Sequence, residues 1–172
     1  DRASVPPRLL PVVDRAVGCA HRFRGLAWSR PAGPIQDRMF AVAHRVDAVA
    51  IAVFRTASRA AQLDAVAATL DPEGVTARYK ELRRRGDVDP DLLASHKARF
   101  ESVQRILNAR DAIDGELEVL EAQLEAAVAR GTELLVVDPV GGDRVATDAD
   151  LTAIDDELAT MAAALDELAV LD

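Results

Sequence analysis

Residues 89–135 read DPDLLASHKARFESVQRILNARDAIDGELEVLEAQLEAAVARGTELL, and their spacing decides the fold. Leu92, Arg99, Ile106, Ile113, Leu120, Ala127 and Leu134 recur every seven residues. His96, Val103, Arg110, Leu117, Leu124 and Gly131 interleave with them. Steps of four and three alternate, as at the a and d positions of a coiled coil, so the stretch predicts one long helix with a continuous seam. A third row runs beside it: Leu93, Phe100, Leu107, Asp114, Glu121, Val128, Leu135. This row is apolar at both ends and acidic in the middle. The helix is therefore expected to bury a broad stripe near its ends and a narrow seam at its centre.

A second long helix is expected over 34–70. Its seam is Ile35, Met39, Val42, Val46, Val49, Val53, Thr56, Ala60, Leu63, Ala67 and Leu70. Phe40, Ile51 and Phe54 lie off that seam, giving the helix a second greasy side. Between the two long helices, Asp71-Pro72 and Asp89-Pro90 each pair an N-cap with a first-turn proline, and Arg83-Arg84-Arg85-Gly86 supplies cations and a stop. A short helix and turn are read over 71–88. Arg30-Pro31-Ala32-Gly33-Pro34 breaks the chain upstream, after a basic amphipathic helix over 8–30. Downstream, Asp138-Pro139 and Gly141-Gly142 predict a loop over 136–147, and Thr147 an N-cap for an acidic helix over 148–171. Nothing reads as a strand. The expectation is a single all-α domain over 1–172: long antiparallel helices forming a coiled-coil hairpin or an elongated bundle of about five helices.

Composition narrows the function classes. The chain carries one cysteine, Cys19, so no disulfide framework or multi-cysteine metal site is expected. Of the basic residues only Lys80 and Lys97 are lysine, a bias expected of a GC-rich bacterial genome. The net charge of −8 divides unevenly. Residues 1–100 carry +6, and residues 101–172 carry −14. That split predicts a basic N-terminal half folded against an acidic C-terminal half, and it disfavours nucleic acid as a partner despite Arg83-Arg84-Arg85. No apolar run approaches the roughly 20 residues of a membrane span.

Candidate chemistry is sparse. His21, His44 and His96 fall on three helices without metal-ligand spacing. No nucleophile and base are ordered for catalysis, and no cofactor motif or small-molecule site stands out. His96 and Arg110 occupy seam positions, where a polar residue sets register; Arg110 is expected to meet an acid of another helix. Cys19 reads as a small buried hydrophobe. On the 8–30 helix, Arg15, Arg22, Phe23, Arg24 and Trp28 form the candidate contact with a partner or an anionic membrane.

A basic amphipathic helix ahead of a long helical hairpin is similar in layout to the phage-shock membrane-binding proteins. The resemblance implies lipid contact through residues 8–30. The break at 31–34 and the short helix at 72–85 depart from that layout. The leading expectation is a non-enzymatic cytoplasmic module that binds itself or a partner protein through its helices. The alternative is a peripheral protein of the inner membrane face. A third reading is a ligand cavity under Phe40, Phe54, Tyr79 and Phe100.

Overall fold

A computed structural model describes residues 2–136 and 148–170. Among them are five α-helices: α1 (Leu10–Trp28), α2 (Pro34–Thr69), α3 (Pro72–Arg85), α4 (Pro90–Val136) and α5 (Asp148–Val170). They pack against one another as an all-α bundle. The Gly141-Gly142 loop and the Thr147 cap fall outside the described residues.

The helix starts follow the proline grammar. Pro34, Pro72 and Pro90 each open a helix, where a missing N–H costs nothing. Asp71 accepts a hydrogen bond from the Gly74 amide at 3.1 Å, capping α3. To do so it takes a left-handed conformation, φ 47°, which an aspartate tolerates better than most residues. A side chain at Gly74 would collide with that carboxylate. Gly86 ends α3 at φ 69°. At the N-terminus two short 3₁₀ turns, Arg2–Ser4 and Pro7–Leu9, precede α1.

Cross-helix contacts fix the topology. Arg8 reaches Asp64 near the end of α2, and Arg24 reaches Asp47 nearer its start, so α1 and α2 are antiparallel. Arg8 also meets Asp114 of α4, and Arg15 meets Glu121, so α1 and α4 run parallel. Arg130 pairs with Glu157, the antiparallel α4–α5 hairpin. Arg45 with Asp155 and Arg38 with Thr152 set α5 beside α2 in the same direction. α2 touches α1, α4 and α5 and lies at the centre of the packing.

The core is built from the expected seams of α2 and α4, joined by apolar positions of α1 and α5. Val42, Val46, Val49 and Val53 of α2 meet Ile113, Leu117, Leu120, Leu124 and Ala127 of α4, with Leu158, Met161 and Leu165 of α5 and Val13, Ala16, Cys19 and Phe23 of α1. Each fully buried leucine or valine contributes roughly 1.5–3 kcal/mol. Beyond this core, the start of α4 leaves the bundle with only α3 for company. Tyr79 and Phe100 stack between them, ring centroids 5.0 Å apart and 22° off parallel. Only Val75, Leu82 and Val103 are buried along this two-helix arm. From Pro90 to the Asp114 contact the arm is on the order of 35 Å long.

The centre of α4 differs from expectation. It is not a narrow seam but the most enclosed part of the helix. The acidic row marks the line along which α1 lies: Glu121 is buried beneath α1, and Asp114 is half-buried where Arg8 meets it. A carboxylate is buried where an arginine fork neutralises it, so acidic residues at regular spacing here signal a helix contact rather than solvent. The breadth expected at the N-terminal end is also absent: Leu92 is exposed, and Leu93 and Phe100 are only half-buried.

Gly115 sits in the middle of α4 on an open face, with nothing within 4 Å of a would-be Cβ. Gly115→Ala is expected to stabilise the fold by about 0.8–1 kcal/mol through helix propensity alone. A rise in the urea midpoint with an unchanged slope would verify it.

Candidate functional site: the outer face of α1 and α2

The inner face of α1 is dictated by the apolar positions Val13, Ala16, Ala20, Phe23 and Ala27, all buried. A helix repeats its faces every 3.6 residues. The positions 10, 14, 17, 21, 24 and 28 therefore form a second stripe, turned toward the outside of the α1–α2 pair. On α2 the matching stripe is 40, 44, 47, 51 and 54. Val17, Ala20, His21 and Arg24 of α1 share one groove with Asp47, Ala50, Ile51 and Phe54 of α2, of about 330 Å³.

The groove has a clear construction. Ala20 and Ala50, buried and small, form its floor and let the two helices approach closely. Val17 is 41% exposed and Ile51 51% exposed, so its walls are apolar and open to solvent. The Arg24–Asp47 ion pair crosses one end. Beyond it Trp28 stands 70% exposed, its ring edge-on to Phe40 at 5.0 Å and 74°. From Phe40 to Phe54 apolar side chains thus line the α1–α2 face over about 21 Å, with ionic groups set between them. Patches of this kind on an otherwise charged surface mark places where another surface packs.

The five residues singled out on the first helix are placed in different environments. Arg15 makes a two-pronged bond to Glu121, at 2.6 and 2.9 Å, and that contact raises its pKa above the ordinary arginine value. Arg22 donates to Cys19 Sγ at 3.1 Å. Arg24 holds Asp47, and Trp28 is at the surface. Phe23 is completely buried, with Gly131 against its ring. It therefore belongs to the core rather than to any contact surface. Cys19 is buried, which pushes its thiol pKa up despite the neighbouring Arg22.

The seam polar residues are not brought together. His96 lies half-buried on the arm, and Arg110 near the arm's junction with the bundle. The acid of another helix expected to meet Arg110 is not found among the described residues; Arg110 donates instead to Asp111 of its own helix at 3.1 and 2.8 Å. Its long stem carries the guanidinium out of the seam. The four aromatics expected around one cavity are also dispersed. Tyr79 and Phe100 stack in the arm, Phe40 packs with Trp28 at the opposite end, and Phe54 lines the α1–α2 groove.

Sequence reading missed Val17, Ile51 and Phe54 as a surface. The signal was present: Ile51 and Phe54 stand off the α2 seam. Their position implied a second buried side, whereas the neighbouring α1 covers only its edge. Among the described residues no group of His, Cys, Asp or Glu is placed to hold a metal ion, and no helix is long and apolar enough to cross a membrane. Comparison with family models, curated proteins and solved structures returned no match.

Proposed function

We propose that the chain is a helical protein-interaction module, working by packing its α1–α2 face against another helical surface. The observation that carries this reading is the exposed apolar row of Val17, Ile51 and Trp28, continuous with Phe40 and Phe54. The rest of the bundle ties its helices together with cross-helix ion pairs: Arg8 to Asp64 and Asp114, Arg15 to Glu121, Arg45 to Asp155, Arg130 to Glu157. Such a row exposed on a fold braced in this way is available for assembly without unfolding any helix.

The test is photo-crosslinking in the producing cell, with benzoylphenylalanine at position 51 and, as control, at position 119. Val119 is equally exposed, on α4. Discrete protein adducts from position 51 but not from 119 are expected. Equal or absent adducts at both positions remove the reading.

A membrane-surface role is the second reading. Trp28 supports it, being exposed one turn beyond Arg24 on a helix rich in arginine. Co-sedimentation with vesicles containing phosphatidylglycerol, lost in Trp28→Ala, is the result this reading expects. Phe23 is unsuited to such a test, because its removal damages the core.

A further inference from the structure

We propose that the partner of the α1–α2 face is a second copy of this chain, packed about a two-fold axis that passes by Ile51. Each helix then lies antiparallel to its own counterpart. The inference rests on the interaction-module reading and specifies its partner.

Charges along the face are ordered about Ile51. Along the face of α2, Asp47 lies one turn before Ile51 and Arg55 one turn after it. In an antiparallel pair centred on residue 51, the position four before meets the position four after. Asp47 of one copy therefore faces Arg55 of the other, twice over by symmetry. The α1 stripe carries the same reversal. Arg24 pairs with Asp47, and residues 20, 21, 50 and 51 share the groove, so Ile51 stands level with about residue 20 of α1. Asp14 lies below that level and Arg24 above it. Reflected through it, Asp14 comes within two residues, roughly 3 Å of rise, of Arg24 in the second copy. The guanidinium spans that distance easily. Both helices thus place an acid on one side of the same centre and a cation on the other.

The apolar groups follow the same symmetry. Ile51 meets Ile51 near the axis. Val17 packs beside its counterpart's groove. Trp28, the most exposed large apolar side chain of the described residues, comes level with about residue 12 of the second copy, where Leu10 and Pro11 lie. The face is on the order of 20 Å long and two helices wide. That is modest beside the about 800 Å² per partner of a standard interface, so association is expected in the micromolar range.

An anionic membrane fits this face less well. Asp14 and Asp47 stand among its cations, and the chain's net charge of −8 repels such a surface at long range.

Sedimentation and light scattering of the purified chain, from low to several hundred micromolar, supply the test. A concentration-dependent dimer is expected. Ile51→Glu, at a site exposed enough to keep the helix intact, is expected to weaken it by on the order of tenfold or more. Arg55→Glu weakens it too, by setting a carboxylate against Asp47 of the second copy. Ile51→Cys is expected to give a disulfide-linked dimer on oxidation. Wild type is expected to give none, because Cys19 is buried; circular dichroism verifies that each variant is folded. A monomer at every concentration overturns the proposal, as does a dimer that survives Ile51→Glu but not Val119→Glu. Cellular adducts at position 51 together with a monomeric purified chain would keep the interaction module and discard the second copy as its partner.

Discussion

Phe23→Ala is expected to lower the unfolding free energy by about 3–5 kcal/mol, the range for a fully buried phenylalanine truncated to alanine. Phe23 has no exposed surface. Its ring sits so close to α4 that a Cβ added at Gly131 would come within 2.5 Å of it. The glycine at this seam position leaves the room that the ring fills, and removing the ring leaves a void lined by the backbone of α4. Urea denaturation should register the loss as a lower midpoint with little change in slope. Two comparisons sharpen the prediction. Trp28→Ala, at an exposed site, should move stability by less than about 0.5 kcal/mol. Gly131→Val should destabilise by about 1–3 kcal/mol through overpacking, and Phe23→Ala in the same chain should recover part of that loss. If Phe23→Ala instead costs no more than Trp28→Ala, α1 is not held through this ring.

The pair also shows how far the seams could be read in advance. Gly131 falls on the seam of α4, whereas Phe23 reads as a contact residue of the first helix. Spacing gives the inner face of α4 but not that the ring of Phe23 meets it. That depends on the parallel register of α1 and α4, which the Arg8–Asp114 and Arg15–Glu121 contacts fix. Those contacts were legible only as a charge imbalance between the two halves of the chain. Imbalance says that opposite charges will pair, not which helix will supply the partner. The acidic row at Asp114 and Glu121 led to the expectation of a narrow central seam for the same reason. A carboxylate alone is costly to bury, and an arginine fork from another helix offsets that cost. Helix boundaries were more legible, because proline, capping aspartate and glycine act within a few residues. The α1–α2 surface was least legible. Ile51 and Phe54 reveal a second apolar side of α2, but periodicity cannot distinguish a side covered by its own chain from one left open.

The same helix can be well protected at one end and open at the other, and α4 is expected to show this in hydrogen exchange. From Ile113 to Gly131 its inner positions are buried against three other helices. From Pro90 to Ser102 no residue of it is buried, and α3 alone packs beside it. An isolated pair of short helices is marginal in water, since few apolar contacts offset the ordering of the chain. The arm therefore has a route to open without disturbing the bundle, whereas amides over 113–131 exchange only when the four-helix core does. Protection factors over 113–131 are expected to exceed those over 92–102 by on the order of a hundredfold or more. Leu82→Ala should widen that gap, because Leu82 is one of the three buried residues of the arm and contributes nothing to the bundle core. Destabilisation of the arm by this change, with unchanged exchange over 113–131, would make arm and bundle separate cooperative units. A uniform rise along the whole of α4 would mean that they open together, and that the stacked Tyr79 and Phe100 couple the arm to the core more strongly than its burial implies.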